Sequence, residues 1–199
     1  MKATNCIEIF NACILKYHLK DNVDQPIDSP YREDSFEHLL YKKNWIDTVQ
    51  WHLEDIIRDP NIDPVKGIEL KRRIDKSNQE RTDLVEQTDD YYIQQFSNIK
   101  PNINATLNTE SPGWVVDRLS ILCLKIFHMK EQVERKNVDE THKEKCQSKL
   151  NILLEQEQDL SKSFDELIAN YKNGTKQIKV YRQMKMYNDT SLNPILYKK

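Results

Sequence analysis

Arg81 occupies a position that helical spacing assigns to the core. Leu70, Ile74, Val85, Tyr92 and Phe96 fall on one narrow stripe at 100° per residue, and Asn78 and Arg81 fall within it. Between Asp75 and Asp83 there is no apolar residue. A guanidinium turned inward needs a carboxylate or an anionic ligand. The pattern therefore predicts an anion-binding or catalytic pocket at mid-helix, a structural ion pair, or an arginine that reaches past a packing gap to water.

Two further stretches mix ionisable and apolar side chains on one helical face. One holds Trp114, Asp117, Arg118, Ile121, Leu124, Lys125 and His128. A face of this kind suits the wall of a half-buried pocket, where Asp117 and His128 are the candidates for proton transfer and Lys125 for holding an anion. The other holds Asn44, Asp47, Gln50, Trp51, Glu54 and Arg58, opposite an apolar face of Leu39, Trp45, Ile46, Val49, Leu53 and Ile56. Trp51 in that polar strip could stack on a base or a sugar ring, and Glu54 is the expected partner of Arg81 or Lys125. Near the C-terminus, Arg182, Lys185, Tyr187 and Asn188 cluster in sequence. Arg182 could close over an anion, or the tail could dock on the rest of the chain through Tyr187, Leu192 and Ile195.

The chemistries that are missing narrow the field. The acidic ladder Asp83, Glu86 and Asp90 lies opposite the Ile74–Val85 stripe, as expected of a solvated face rather than a magnesium site. No Glu-x-x-His pair, HExxH, nucleophile elbow or Walker loop is present. His38, His52 and His142 stand alone in sequence. Cys6, Cys13, Cys123 and Cys146 form no CxxC pair and sit among apolar residues at helical spacing, as free thiols acting as small core hydrophobes would. No metal ligand set and no cofactor is predicted.

These residues must be positioned by helices. The chain has 199 residues and only 3 glycines, which argues against Rossmann, P-loop and β-rich folds with their glycine-dependent turns. Five helical segments can be read: Thr4–Lys20; Ser35 as cap to Arg58; Asp63-Pro64 to about Asn98; Ser111-Pro112 to about Arg135; and a last one ending at Asn173-Gly174. Leu150, Leu153, Leu160, Phe164, Leu167 and Tyr171 form a coiled-coil-like seam interrupted at Glu157. Short turns join the second to the third helix and the fourth to the fifth, so these pairs should be antiparallel. The expected fold class is all-α: an elongated antiparallel bundle forming a single domain over residues 1–199, with loops at Asp21–Asp34 and Ile99–Glu110. The fourth helix is central, and a short helical tail covers Lys176–Tyr187.

Charge and hydropathy set the remaining bounds. There are 30 Lys+Arg against 32 Asp+Glu, a formal net charge of -2, which lacks the basic excess of a general nucleic-acid binder. A mean hydropathy of -0.80 and the lack of any long apolar run exclude a membrane span. Glu8 and Asn11 interrupt the first apolar run, so no signal peptide is expected and the cytoplasm is the expected location.

The segments NWIDTVQWHLEDIIRDPNIDP, LKRRIDKSNQERTDLVE, LNTESPGWVVDRLSILCLKIFHMKEQ and VYRQMKMYNDTSLNPILYK resemble the bacterial family catalogued as domain of unknown function 4254. The resemblance runs from about Glu37 to the C-terminus. It implies an all-helical protein encoded near glycosyltransferases of surface-polysaccharide pathways, and it carries no catalytic residues. Three functions follow as expectations. The first is binding of a phosphorylated small molecule, a nucleotide-sugar or sugar-phosphate, by Trp51, Glu54, Asn78, Arg81, Lys125 and Arg182, with Asp117 and His128 as catalytic groups if there is a reaction. The second is a non-catalytic adaptor for a glycosyltransferase or for a second copy of the chain. The third is a metal-dependent nucleotide hydrolase.

Overall fold

The computed structural model describes residues 1–186 and 189–198. It is an all-α bundle of five long helices: α1 (Ala3–His18), α2 (Phe36–Ile57), α3 (Pro64–Gln95), α4 (Pro112–Glu134) and α5 (Glu140–Lys172), followed by a single turn, α6 (Pro194–Tyr197). No described helix is long and apolar enough to cross a membrane.

The helix starts follow from local chemistry. Ser35, Asp63, Ser111 and Asp139 each accept a backbone N–H of the first turn, from His38, Lys66, Trp114 and His142. Pro64 and Pro112 sit where a missing N–H leaves no donor unsatisfied. At the other end of α5, Gly174 takes a φ of +70° and its carbonyl receives Asn102 N at 2.8 Å.

Helix α4 packs against α1, α2, α3 and α5, which makes it the centre of the bundle. The main core joins Phe10 and Tyr17 of α1, Leu40 and Trp45 of α2, Tyr92 of α3, Leu119 of α4 and Phe164 of α5. A second cluster of Leu122, Ile126 and Leu150 continues between α4 and α5. The four cysteines are free and buried, as small core hydrophobes.

Two sequence expectations are corrected here. Lys176–Met186 is not helical: Thr106 N donates to Thr175 O, and Gln177 N donates to Thr106 O, pairing the tail with the α3–α4 loop. The tail then docks on α3 through charge. Arg182 pairs with Asp90 and donates to Glu86 O at 3.0 Å, while Lys185 Nζ donates to Thr82 Oγ1 at 2.7 Å. Leu192 and Ile195, the expected apolar anchors, are exposed, and Tyr187 and Asn188 lie outside the described residues. The second correction concerns α2. Ile56, expected in its apolar face, is exposed, while the polar strip across from that face is buried at Asn44, Asp47 and Gln50. The polar strip is what α2 turns toward α3 and α4.

Candidate functional site

Lys43 and Asp47 lie one turn apart on α2, Arg81 is at mid-α3, and Asp117 is near the start of α4. The three helices bring them into one buried network. Arg81 Nε donates to Asp47 Oδ1 at 2.6 Å and Nη2 donates to Asp117 Oδ1 at 3.1 Å. Lys43 Nζ pairs with Asp47 and lies 2.8 Å from Asp117 Oδ1. Ser120 Oγ donates to Asp47 Oδ2 at 2.5 Å and accepts Asn44 Nδ2 at 2.9 Å. Asn78 Oδ1 accepts Gln50 Nε2 at 2.7 Å and Arg81 Nη1 at 3.4 Å.

Two cations thus meet two carboxylates, and the charges cancel. Burial works against the Arg81 charge, but Asp47 and Asp117 outweigh it and hold its pKa above the ordinary value. Of the alternatives that the spacing left open for Arg81, the structure contains the ion pair. Its partner is Asp47 rather than Glu54, two turns further along the same strip; Glu54 pairs with Arg58 at 3.0 Å. Asp117 is likewise committed to Lys43 and Arg81. It lines neither of the two cavities described below.

Trp51 stands at the junction of two cavities on the outer side of this network. The larger, about 550 Å³, runs between α2, α4 and α5 and is lined by Trp51, Asp55, Lys125, His128, Lys149 and Leu153 among others. The smaller, about 350 Å³, continues over Trp51, Glu54, Asp55, Arg58, Arg81 and Ile121. The indole stacks on the His128 ring, 4.9 Å between centroids and 13° between planes. His128 Nδ1 lies 2.8 Å from Glu131 Oε2. Lys125 and Lys149 form no ion pair with any described residue.

Of the predicted residues, the structure gathers Trp51, Lys125 and His128 around the larger cavity, and Trp51, Glu54 and Arg81 around the smaller. Asn78 supports Arg81 from behind. Arg182 is elsewhere, spent on Glu86 and Asp90. Those two residues also belong to the acidic ladder; Asp83 and Asp90 are exposed, as a solvated face requires. Sequence reasoning missed Lys43, Lys149, His18 and His52. Lys43 could have been found, because it stands four residues before Asp47 on one helix. The histidines carried no such signal: His18, His52 and His128 come from α1, α2 and α4 and meet only in the fold.

The family described as protein of unknown function (DUF4254) matches residues 37–180, most of the chain, and the chain belongs to that family. No curated protein and no solved structure matches it.

Proposed function

We propose that this DUF4254 protein binds a phosphorylated small molecule, of the nucleotide-sugar or sugar-phosphate class, in the cleft between α2, α4 and α5. One observation carries the reading: an indole face, two lysines that form no ion pair with any described residue, and a carboxylate converge on one cavity of about 550 Å³. Lys125 and Lys149 supply point charges for a phosphate. Trp51 offers a flat apolar surface to a base or sugar ring, and Asp55 accepts hydrogen bonds from sugar hydroxyls. Volumes of this order are usual for small-molecule sites. Arg81 and Asp117, whose charges are already matched, hold α2, α3 and α4 together and are left out of the ligand set. A nucleotide-sugar or sugar-phosphate fits the glycosyltransferase context that the family resemblance implies.

The test is thermal unfolding with a panel of nucleotides, nucleotide-sugars and sugar-phosphates. At a hundredfold excess over Kd a specific ligand stabilises by about 2.7 kcal/mol, which in a chain of this size raises Tm by about 5–10 °C. Lys125→Gln with Lys149→Gln should abolish the shift while leaving the unliganded Tm within about 2 °C, since neither side chain forms an ion pair with a described residue. Arg182→Gln, remote from the cleft, should keep it. A flat panel would overturn the reading in favour of an adaptor.

A further inference from the structure

His18, His52 and His128 form a cluster in which one ring nitrogen of each lies within 4.8 Å of the others. The ring centroids are 5.2, 5.2 and 5.6 Å apart. His18 Nε2 and His52 Nε2 are 3.2 Å from each other. Two nitrogens bound to one tetrahedral zinc ion, each at about 2.0–2.1 Å, lie about 3.3 Å apart.

The groups behind the rings set which nitrogen is free. His18 Nδ1 lies 2.7 Å from the Ile14 carbonyl, which can only accept, so Nδ1 carries the proton and Nε2 the lone pair. His128 Nδ1 lies 2.8 Å from the Glu131 carboxylate, which fixes the same tautomer. His128 Nε2 is then a buried lone pair, and no hydrogen bond from a described residue reaches it. A hydrogen bond from His52 to His18 would account for two of the rings and leave the third unsatisfied. A shared cation accounts for all three. Tyr17 stacks on His52, Trp51 on His128, and Phe127 packs at 4.4 Å on His18, so the rings are held on their faces as well as at their edges.

A fourth ligand atom, an oxygen, is at hand. Asp21 Oδ1 lies 3.5 Å from His52 Nε2. Asp21 lies three residues after α1 ends, with a φ of +47° and its N–H donating to Tyr17 O at 3.1 Å, as in a left-handed helix terminus.

We propose that His18, His52, His128 and Asp21 form a binding site for a zinc-class transition-metal cation that ties the end of α1 to α2 and α4. Three neutral imidazoles and one carboxylate suit zinc, cobalt, nickel or copper, and not magnesium or calcium, which prefer all-oxygen shells. The inference does not depend on the ligand of the neighbouring cleft.

The experiment titrates zinc and magnesium into the full-length protein after chelator treatment, with a chromophoric chelator as competitor. Cobalt then serves as a spectroscopic probe. One equivalent of zinc should bind, raising Tm, while magnesium does neither. Cobalt should give the intense visible bands of a tetrahedral site. His52→Asn should lose the stoichiometric site, and Asp21→Asn should weaken it. Glu131→Gln, at an exposed residue whose change leaves the fold intact, should weaken it by about 10–100-fold through His128. His142→Asn, away from the cluster, should bind like the wild type. Failure to bind zinc stoichiometrically would overturn the proposal, as would binding that survives His52→Asn unchanged or disappears with His142→Asn.

Discussion

Arg81 Nε and Asp47 Oδ1 lie 2.6 Å apart across the contact of α3 with α2, and Asp47 is almost wholly buried there. Asp47 also takes Lys43 and the Ser120 hydroxyl. Removing that carboxylate leaves two cations with one anion in the interior. Breaking a buried pair by deleting one partner costs about 3–5 kcal/mol. Asp47→Ala should therefore lower Tm by about 6–20 °C in a chain of this size. Lys43→Met with Asp117→Leu, which deletes one charge of each sign, should cost less than the two single changes summed. Urea unfolding of the four proteins in that cycle measures the difference.

At Gly113, α4 packs tightly on α3. A Cβ there would meet Val85 O at 2.4 Å and Asp89 Cγ at 2.8 Å. Neither can move cheaply, because the first is helix backbone and Asp89 already accepts Gly113 N at 2.7 Å and Ser111 Oγ at 2.6 Å. Overpacking of this kind typically costs about 1–3 kcal/mol, and backbone contacts place it at the upper end. Gly113→Ala should lower the urea midpoint accordingly. Gly67→Ala should not, because its nearest contact would be 3.8 Å.

The helices were legible because their ends are written locally: Ser35, Asp63-Pro64, Ser111-Pro112 and Asn173-Gly174 each mark a boundary within a residue or two. The inward-turned Arg81 was legible for a related reason, since a charge on an apolar stripe violates the helical pattern. Its partner was not. Asp47 and Glu54 share one strip of α2, and only the crossing of α2 with α3 selects between them. The tail misled because Lys176–Met186 is fixed by contacts with Thr106, Thr82 and Asp90, all distant in sequence, rather than by its own periodicity. The meeting of His18 with His52 was illegible for the same reason as the Arg81–Asp47 pair: it is a property of helix packing.

The thiols should be protected by the fold. Burial pushes Cys6 and Cys123 up to about 12, and raises Cys13 well above its usual value. The thiolate is the reactive form. A disulfide reagent at pH 8 should therefore leave Cys6, Cys13 and Cys123 unmodified in the native protein and label them in urea. Peptide mapping after timed quenching identifies the sites. Rapid native labelling of Cys123, which lies in the main core between α4 and its neighbours, would contradict the packing described here.

Asp89 should leave its own mark on the pH dependence of stability. The carboxyl is buried between α3 and α4, and burial raises its pKa above 3.8, against the bonds from Ser111 and Gly113 and the charge of Arg182; Asp90 adds to the rise. A carboxyl with a raised native pKa binds more protons folded than unfolded. Stability contributed by Asp89 is then complete below 3.8 and is lost as pH rises through its native value. Asp89→Asn keeps an acceptor for Gly113 N and offers an N–H to Ser111 Oγ, so the contact can survive without the titration. The unfolding free energy of wild type minus that of Asp89→Asn, measured in urea from pH 3.5 to pH 7, should fall as pH rises. A difference that is constant, or that grows with pH, would mean that the hydrogen bonds from Ser111 and Gly113 outweigh burial at this carboxylate.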